Sequence, residues 1–163
     1  MSVGRICSRS VDLVDTSETI HAAAARMRDR DVGHLIAIDE RRSPVGVVTD
    51  RDLVTRALAE GHDPESPVWT AMTAAPCTIA EEAPIESALS LMAFAGVRRL
   101  PVVDRGERLV GVIALDDVMG LLSEELGMIG KLLSSQVPCQ ADGGAKPPRP
   151  VPVAFDVLQR LAR

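Results

Sequence analysis

The stretch "VGVVTDRDLV", Val45–Val54, returns as "VGVIALDDVM", Val110–Met119. Its two glycines, Gly46 and Gly111, lie 65 positions apart. Without a gap, the same offset carries Ile20 onto Ile85, Met27 onto Met92, Val32 onto Val97, Leu35 onto Leu100 and Asp39 onto Asp104. Self-similarity at a fixed period marks an internal repeat, and a repeat decides the architecture before any single element is assigned. The copies differ at one chemically weighted point. Both keep the final aspartate, Asp52 and Asp117, but Thr49 is answered by Ala114.

Each copy follows one grammar. A short lead-in ("VDLVDTSET", "PCTIAEEAP") precedes a helical pattern. In the first copy this is the alanine-rich "TIHAAAARMRDRD"; in the second, Pro84 opens a helix with Ile85, Leu89, Met92 and Ala93 at helical spacing. A β-like run follows ("HLIAID", "RLPVVD"), ending on aspartate before a polar turn. A second β-like run then feeds another helix ("DRDLVTRALAEG", "LDDVMGLLSEEL"). The expected fold is α/β (α+β): two tandem β-α-β-β-α repeats packed with pseudo-two-fold symmetry, because units of this size are marginal alone. The boundaries read as repeat 1 at 7–60, a connector at 61–71 with Trp69 tucked against one half, repeat 2 at 72–126, and a Pro/Gly-rich tail at 127–163. The tail ends in "VAFDVLQRLAR", either frayed or a short helix with Phe155, Leu158 and Leu161 on one side.

Composition narrows the function. The chain has 163 residues, 46% hydrophobic but only 2% aromatic, so its core must be aliphatic. A net charge of −5 with so few aromatics argues against a stacking, basic nucleic-acid face. No apolar run approaches the roughly 18–20 residues that span a bilayer, so no membrane insertion is expected. "MSVGRICSRS" lacks a signal-peptide core, and a cytoplasmic location is expected. Cys7, Cys77 and Cys139 are odd in number and form no CxxC pair, which predicts neither a disulfide framework nor a metal site. Cys7 and Cys77 both precede a repeat's first strand. A redox sensor is conceivable there, with buried inert thiols as the default. Met27 and Met92 read as core or dimer packing.

The paired "GVVTDRDL" and "GVIALDDV" segments, the "RRLPVVD" strand and the "MTAAPCTI" lead-in together resemble a CBS-domain pair, also called a Bateman module, over about Cys7 to Glu125. The wording "MRDRDVGHL…GVVTDRDLVTRALAEGHDP" is similar to stand-alone bacterial members. The resemblance implies a regulatory module and not an enzyme. It implies an adenosine-containing ligand (AMP, ADP, ATP or S-adenosylmethionine) in clefts between the repeats, with no cofactor required, and a homodimer that signals to an unknown protein target.

Thr49-x-x-Asp52 falls where a strand turns into a helix. In its ordinary structural use it is a capping box. The same groups suit a nucleotide: the threonine hydroxyl can donate to phosphate and the carboxylate can accept from ribose hydroxyls, with Gly46 admitting close approach. The resemblance implies that the other repeat completes each cleft. The first site would then borrow the loop Thr73, Ala74, Ala75, Pro76, Cys77 and Thr78 to read adenine, Val97 to cover its face, and Arg98 or Arg99 to hold phosphate. The second, weaker site would combine Gly111, Ala114 and Asp117 with Ser8, Arg9, Ser10, Val11, Val32, Gly33 and His34. Ala114 offers no hydroxyl, Asp116 adds negative charge, and His34 is a cation only when protonated, so this site is either degraded or selective for a less charged ligand. No catalytic residues are expected, since no Ser/His/Asp or Cys/His arrangement emerges. The competing reading is a ligand-silent dimer serving as a protein-interaction scaffold.

Overall fold

The structure is a computed structural model and describes residues 1–135. The expectations for Cys139 and for the apolar positions Phe155, Leu158 and Leu161 lie outside the described residues.

The first repeat runs β1 (Leu13–Val14), α1 (Ile20–Arg30), β2 (His34–Ile38), β3 (Pro44–Thr49) and α2 (Asp50–Asp52), which continues as a π-helical stretch, Leu53–Leu58. After a connector come β4 (Thr73–Ala74), β5 (Ile79–Ala80), α3 (Ile85–Ala95), β6 (Arg99–Val103), β7 (Leu109–Ala114) and α4 (Leu115–Ser135). The strands form one sheet in the order β1-β2-β3-β4 and another in the order β5-β6-β7. In each, a parallel pair is followed by an antiparallel hairpin, as the two tandem β-α-β-β-α units require.

The repeat extends to fine geometry. His34 pairs with Thr49 in the first hairpin and Arg99 with Ala114 in the second, with a register shift at Ala37/Ile38 and again at Val102/Val103. Asp39 and Asp104 follow directly on the first strand of each hairpin, and each carboxylate accepts backbone N–H groups of the turn, Arg41 and Ser43 in one, Gly106 and Arg108 in the other. Arg42 and Glu107 both take positive φ in that turn.

Helix α1 starts at Thr19, whose hydroxyl accepts from the Ala22 N–H, and turns Ile20, Ala23 and Met27 inward. Helix α3 buries Ile85, Ala88 and Met92; Ala88 takes the inward place expected of Ala93, which is exposed. Burial of each such large aliphatic side chain stabilises the fold by about 1.5–3 kcal/mol.

The segments that precede the repeats are exchanged between them. Val3 and Cys7 belong to the core around Ile85, Met92, Leu100 and Ile113 of the second repeat, whereas Val68 and Ala71 belong to the core around Ile20, Met27, Leu35 and Val48 of the first. The backbone bonds repeat as well: Val3 N–H to Ala83 O at 2.9 Å, and Val68 N–H to Glu18 O at 2.7 Å. A third cluster joins the two sheets through Ile36, Leu109 and Val112, with Val11, Leu13 and Val47 packed against it. Trp69 departs from expectation: its backbone N–H reaches Thr16 O, but the residue is 57% exposed. Helix α4 remains regular through Ser135, further than its repeat partner and into the stretch read as tail.

Candidate functional site

At the end of β3 the chain leaves the sheet and starts α2. Thr49, in extended geometry, accepts the Asp52 N–H on Oγ1 at 3.1 Å. Asp52 Oδ2 in turn takes the Thr49 N–H at 3.0 Å and its hydroxyl at 2.7 Å. The capping box is therefore formed, and it fixes the rotamer of a carboxylate whose side chain is only 16% exposed. The other oxygen, Oδ1, faces Arg56 Nε at 3.4 Å, and Arg56 Nη1 donates to Thr73 Oγ1 at 3.0 Å. Sequence reading missed Arg56. Its signal was the Asp-x-x-x-Arg spacing, which places two side chains on one helix face.

Thr73 belongs to β4, which pairs antiparallel with β3 in the register Gly46↔Ala74 and Val47↔Thr73. The loop from Thr73 to Thr78 is thereby carried to the first repeat's strand edge. Ala75, whose N–H reaches Val45 O, holds φ at 45°, a left-handed conformation that is costly with a Cβ. Pro76 is half-buried; Cys77 and Thr78 are exposed, so Cys77 differs from the buried thiol expected by default. The space beside Gly46 is taken by Met72, into which a Cβ would run.

Val97, Arg98 and Arg99 are exposed. Arg98 lies 3.5 Å from Asp116, within its own repeat. Arg99 is the repeat counterpart of His34, the residue paired with Thr49. Burial pushes the His34 imidazole below its ordinary pKa, and the Arg99 charge adds to this against the opposing Asp12 and Asp50. His34 is therefore neutral under ordinary conditions.

The second constellation keeps half of the capping arrangement. Asp117 Oδ2 accepts the Ala114 N–H at 2.8 Å, while the half of the box that Thr49 supplies in the first repeat is absent, as Ala114 has no hydroxyl. Ser8 exchanges both backbone bonds with Val112 at 2.9 Å, and its hydroxyl donates to Ser10 O. Arg9 is engaged with Gly4 O, Val110 O and Glu81. Val11 packs between the sheets, and Val32 leans on the first repeat's core. Gly33 O accepts the Asp50 N–H, and Gly111 lies against Ser8 and Cys7. Desolvation raises the Cys7 thiol above its ordinary pKa, which keeps it protonated and unreactive. Among the described residues, no three His, Cys, Asp or Glu side chains gather as a metal site would require.

Two pseudo-symmetric repeats, each offering a carboxylate held at a strand–helix junction and each closed by the other's lead-in, define a tandem-repeat module with one candidate site per junction. The CBS domain model matches twice, at residues 3–59 and 68–124. The chain belongs to the CBS domain family. It is 31% identical over 120 residues to the uncharacterized protein MK0525 of Methanopyrus kandleri, covering 73% of this chain and 61% of that one. Among solved structures, it is similar to the CBS domain pair of protein MJ0100 in complex with 5′-methylthioadenosine and S-adenosyl-L-methionine (TM-score 0.69, 26% identity, 77% of this chain and 98% of that chain). It is also similar to the CBS domain protein PAE2072 from Pyrobaculum aerophilum complexed with AMP (TM-score 0.65, 28% identity, 72% of this chain and 89% of that chain).

Proposed function

We propose that this chain is a regulatory sensor of adenine nucleotides, of the AMP, ADP or ATP type, that acts as a homodimer on a separate protein target without catalysing a reaction. The observation that carries the reading is the junction of Thr49 and Asp52 with the Thr73 loop of the other repeat, strand-paired beside Gly46. Asp52 is a fixed, largely buried carboxylate suited to a ribose diol, and the loop backbone next to it is suited to a base. The AMP held by PAE2072 and the adenosine ligands held by MJ0100 support the ligand class.

Calorimetric titration of AMP, ADP, ATP and S-adenosylmethionine into the wild type and Asp52→Ala tests it. Binding that is lost in a folded Asp52→Ala supports the sensor. Absence of heat from all four ligands overturns it and leaves the scaffold reading.

A further inference from the structure

We infer that Arg56 is the residue by which the first site distinguishes phosphorylated from unphosphorylated adenosine ligands. This rests on the nucleotide reading above and deepens it. Arg56 touches both halves of the site. Its Nε is 3.4 Å from Asp52 Oδ1, and its Nη1 donates to Thr73 Oγ1 at 3.0 Å. One side chain thus ties the carboxylate assigned to ribose to the first residue of the loop assigned to adenine. A guanidinium carries five N–H donors in a planar fork. Those two partners leave donors unused, and the side chain is 47% exposed.

Charge gives the reason a cation is needed here. Asp50 and Asp52 stand within one turn of each other, and both repel a phosphate. Arg56 offsets Asp52 and presents its remaining donors beside it. Of the two arginines favoured from sequence, Arg98 pairs with Asp116 of its own repeat, and neither is hydrogen-bonded to Asp52 or to the Thr73 loop.

The repeat supplies an internal control. The 65-residue offset that puts Ala114 in place of Thr49 also puts Leu121 in place of Arg56. Leu121 packs on the second repeat's core and is not available to a ligand. The second repeat has therefore lost the guanidinium while keeping the carboxylate, Asp117. The Thr49 hydroxyl gives its one proton to Asp52 Oδ2, so in the first repeat it is Arg56 that keeps unused donors for a phosphate. The first site selects nucleotides, and any ligand of the second is an adenosine without a phosphate.

The test is titration of AMP and of adenosine into the full chain as wild type, Arg56→Leu and Arg56→Lys, with circular dichroism to establish folding. Arg56→Leu is expected to weaken AMP about tenfold or more, as loss of a charge-assisted bond does. Adenosine should be changed far less, and Arg56→Lys should restore part of the AMP affinity. Equal loss of both ligands would reduce Arg56 to a structural tie between Asp52 and Thr73 and overturn the inference. So would AMP binding that Arg56→Leu leaves intact; in either case the nucleotide reading survives. Failure of both AMP and adenosine to bind the wild type overturns this inference, whereas the nucleotide reading falls only if ADP, ATP and S-adenosylmethionine fail as well.

Discussion

Gly111 lies directly against Ser8: a Cβ at Gly111 would stand 2.6 Å from the Ser8 carbonyl oxygen and 3.0 Å from Cys7 Sγ. At the equivalent position in the first repeat, Gly46 meets the end of the Met72 side chain. The two glycines are thus required by the exchanged lead-in segments, which cross the other repeat's strand edge at this point. A methionine end can swing aside, whereas a strand-paired carbonyl cannot. Gly111→Ala is therefore expected to destabilise the fold by about 1–3 kcal/mol, and Gly46→Ala by less. Urea denaturation of the two variants checks the order.

The same substitution should change sign elsewhere. Gly96 ends α3 at φ 65° with open space where a Cβ would go, so Gly96→Ala introduces backbone strain without a clash. A loss of about 1 kcal/mol is expected. Gly120 lies within α4, also with open space around it, and there alanine has the better helix propensity. Gly120→Ala is expected to gain about 0.5–1 kcal/mol. Thermal melts of both would show opposite shifts.

These glycines also show what sequence made legible. The 65-residue offset and the apolar spacing made legible the repeats, the hairpins, the inward Met27 of α1, the inward Ile85 and Met92 of α3, and the capping pair Thr49–Asp52, because each depends on a local period. What the spacing could not carry was contact between distant segments. Val3 packs with the second repeat and Val68 with the first, an exchange encoded in matching geometry and not in either local pattern. Arg56 escaped notice for the same reason: its link to Thr73 joins residues that only the β3–β4 pairing brings together. The expectation that Trp69 tucks against one half fails because the buried member of that turn is Val68.

His34 should make stability depend on pH. Burial, then Arg99, holds its folded pKa below the unfolded value of 6.5, while Asp12 and Asp50 pull weakly the other way. The neutral form is the one the fold accommodates. Its contribution is present above about pH 6.5 and is lost as pH falls through the lower, folded pKa, with up to about one proton taken up on unfolding in that window. Denaturant midpoints at pH 7, 6 and 5 should fall more steeply in the wild type than in His34→Gln. Arg99→Gln should raise the His34 pKa in an NMR titration. Identical pH profiles in wild type and His34→Gln would remove His34 as the cause.

The proposed homodimer requires a surface, and the repeat places one symmetrically. Val54 and its counterpart Met119 follow the two capped aspartates on the second helix of each repeat and are 56% and 57% exposed. Leu58 lies one turn beyond Val54, and Leu122 and Leu126 continue the α4 face past Met119, all of them exposed. Large apolar side chains left exposed along two water-facing helices are stabilised by a partner that covers them. A second copy offers the same residues, so the contact satisfies itself about a two-fold axis. Light scattering after size exclusion should give twice the 17.4 kDa chain mass for the wild type. Val54→Glu with Met119→Glu should shift the mass to one chain while leaving the far-UV spectrum unchanged, because neither side chain contributes to the buried cores. Retention of the dimer in that variant would move the interface off these helices, and a monomeric wild type at micromolar concentration would remove the dimer from the proposal.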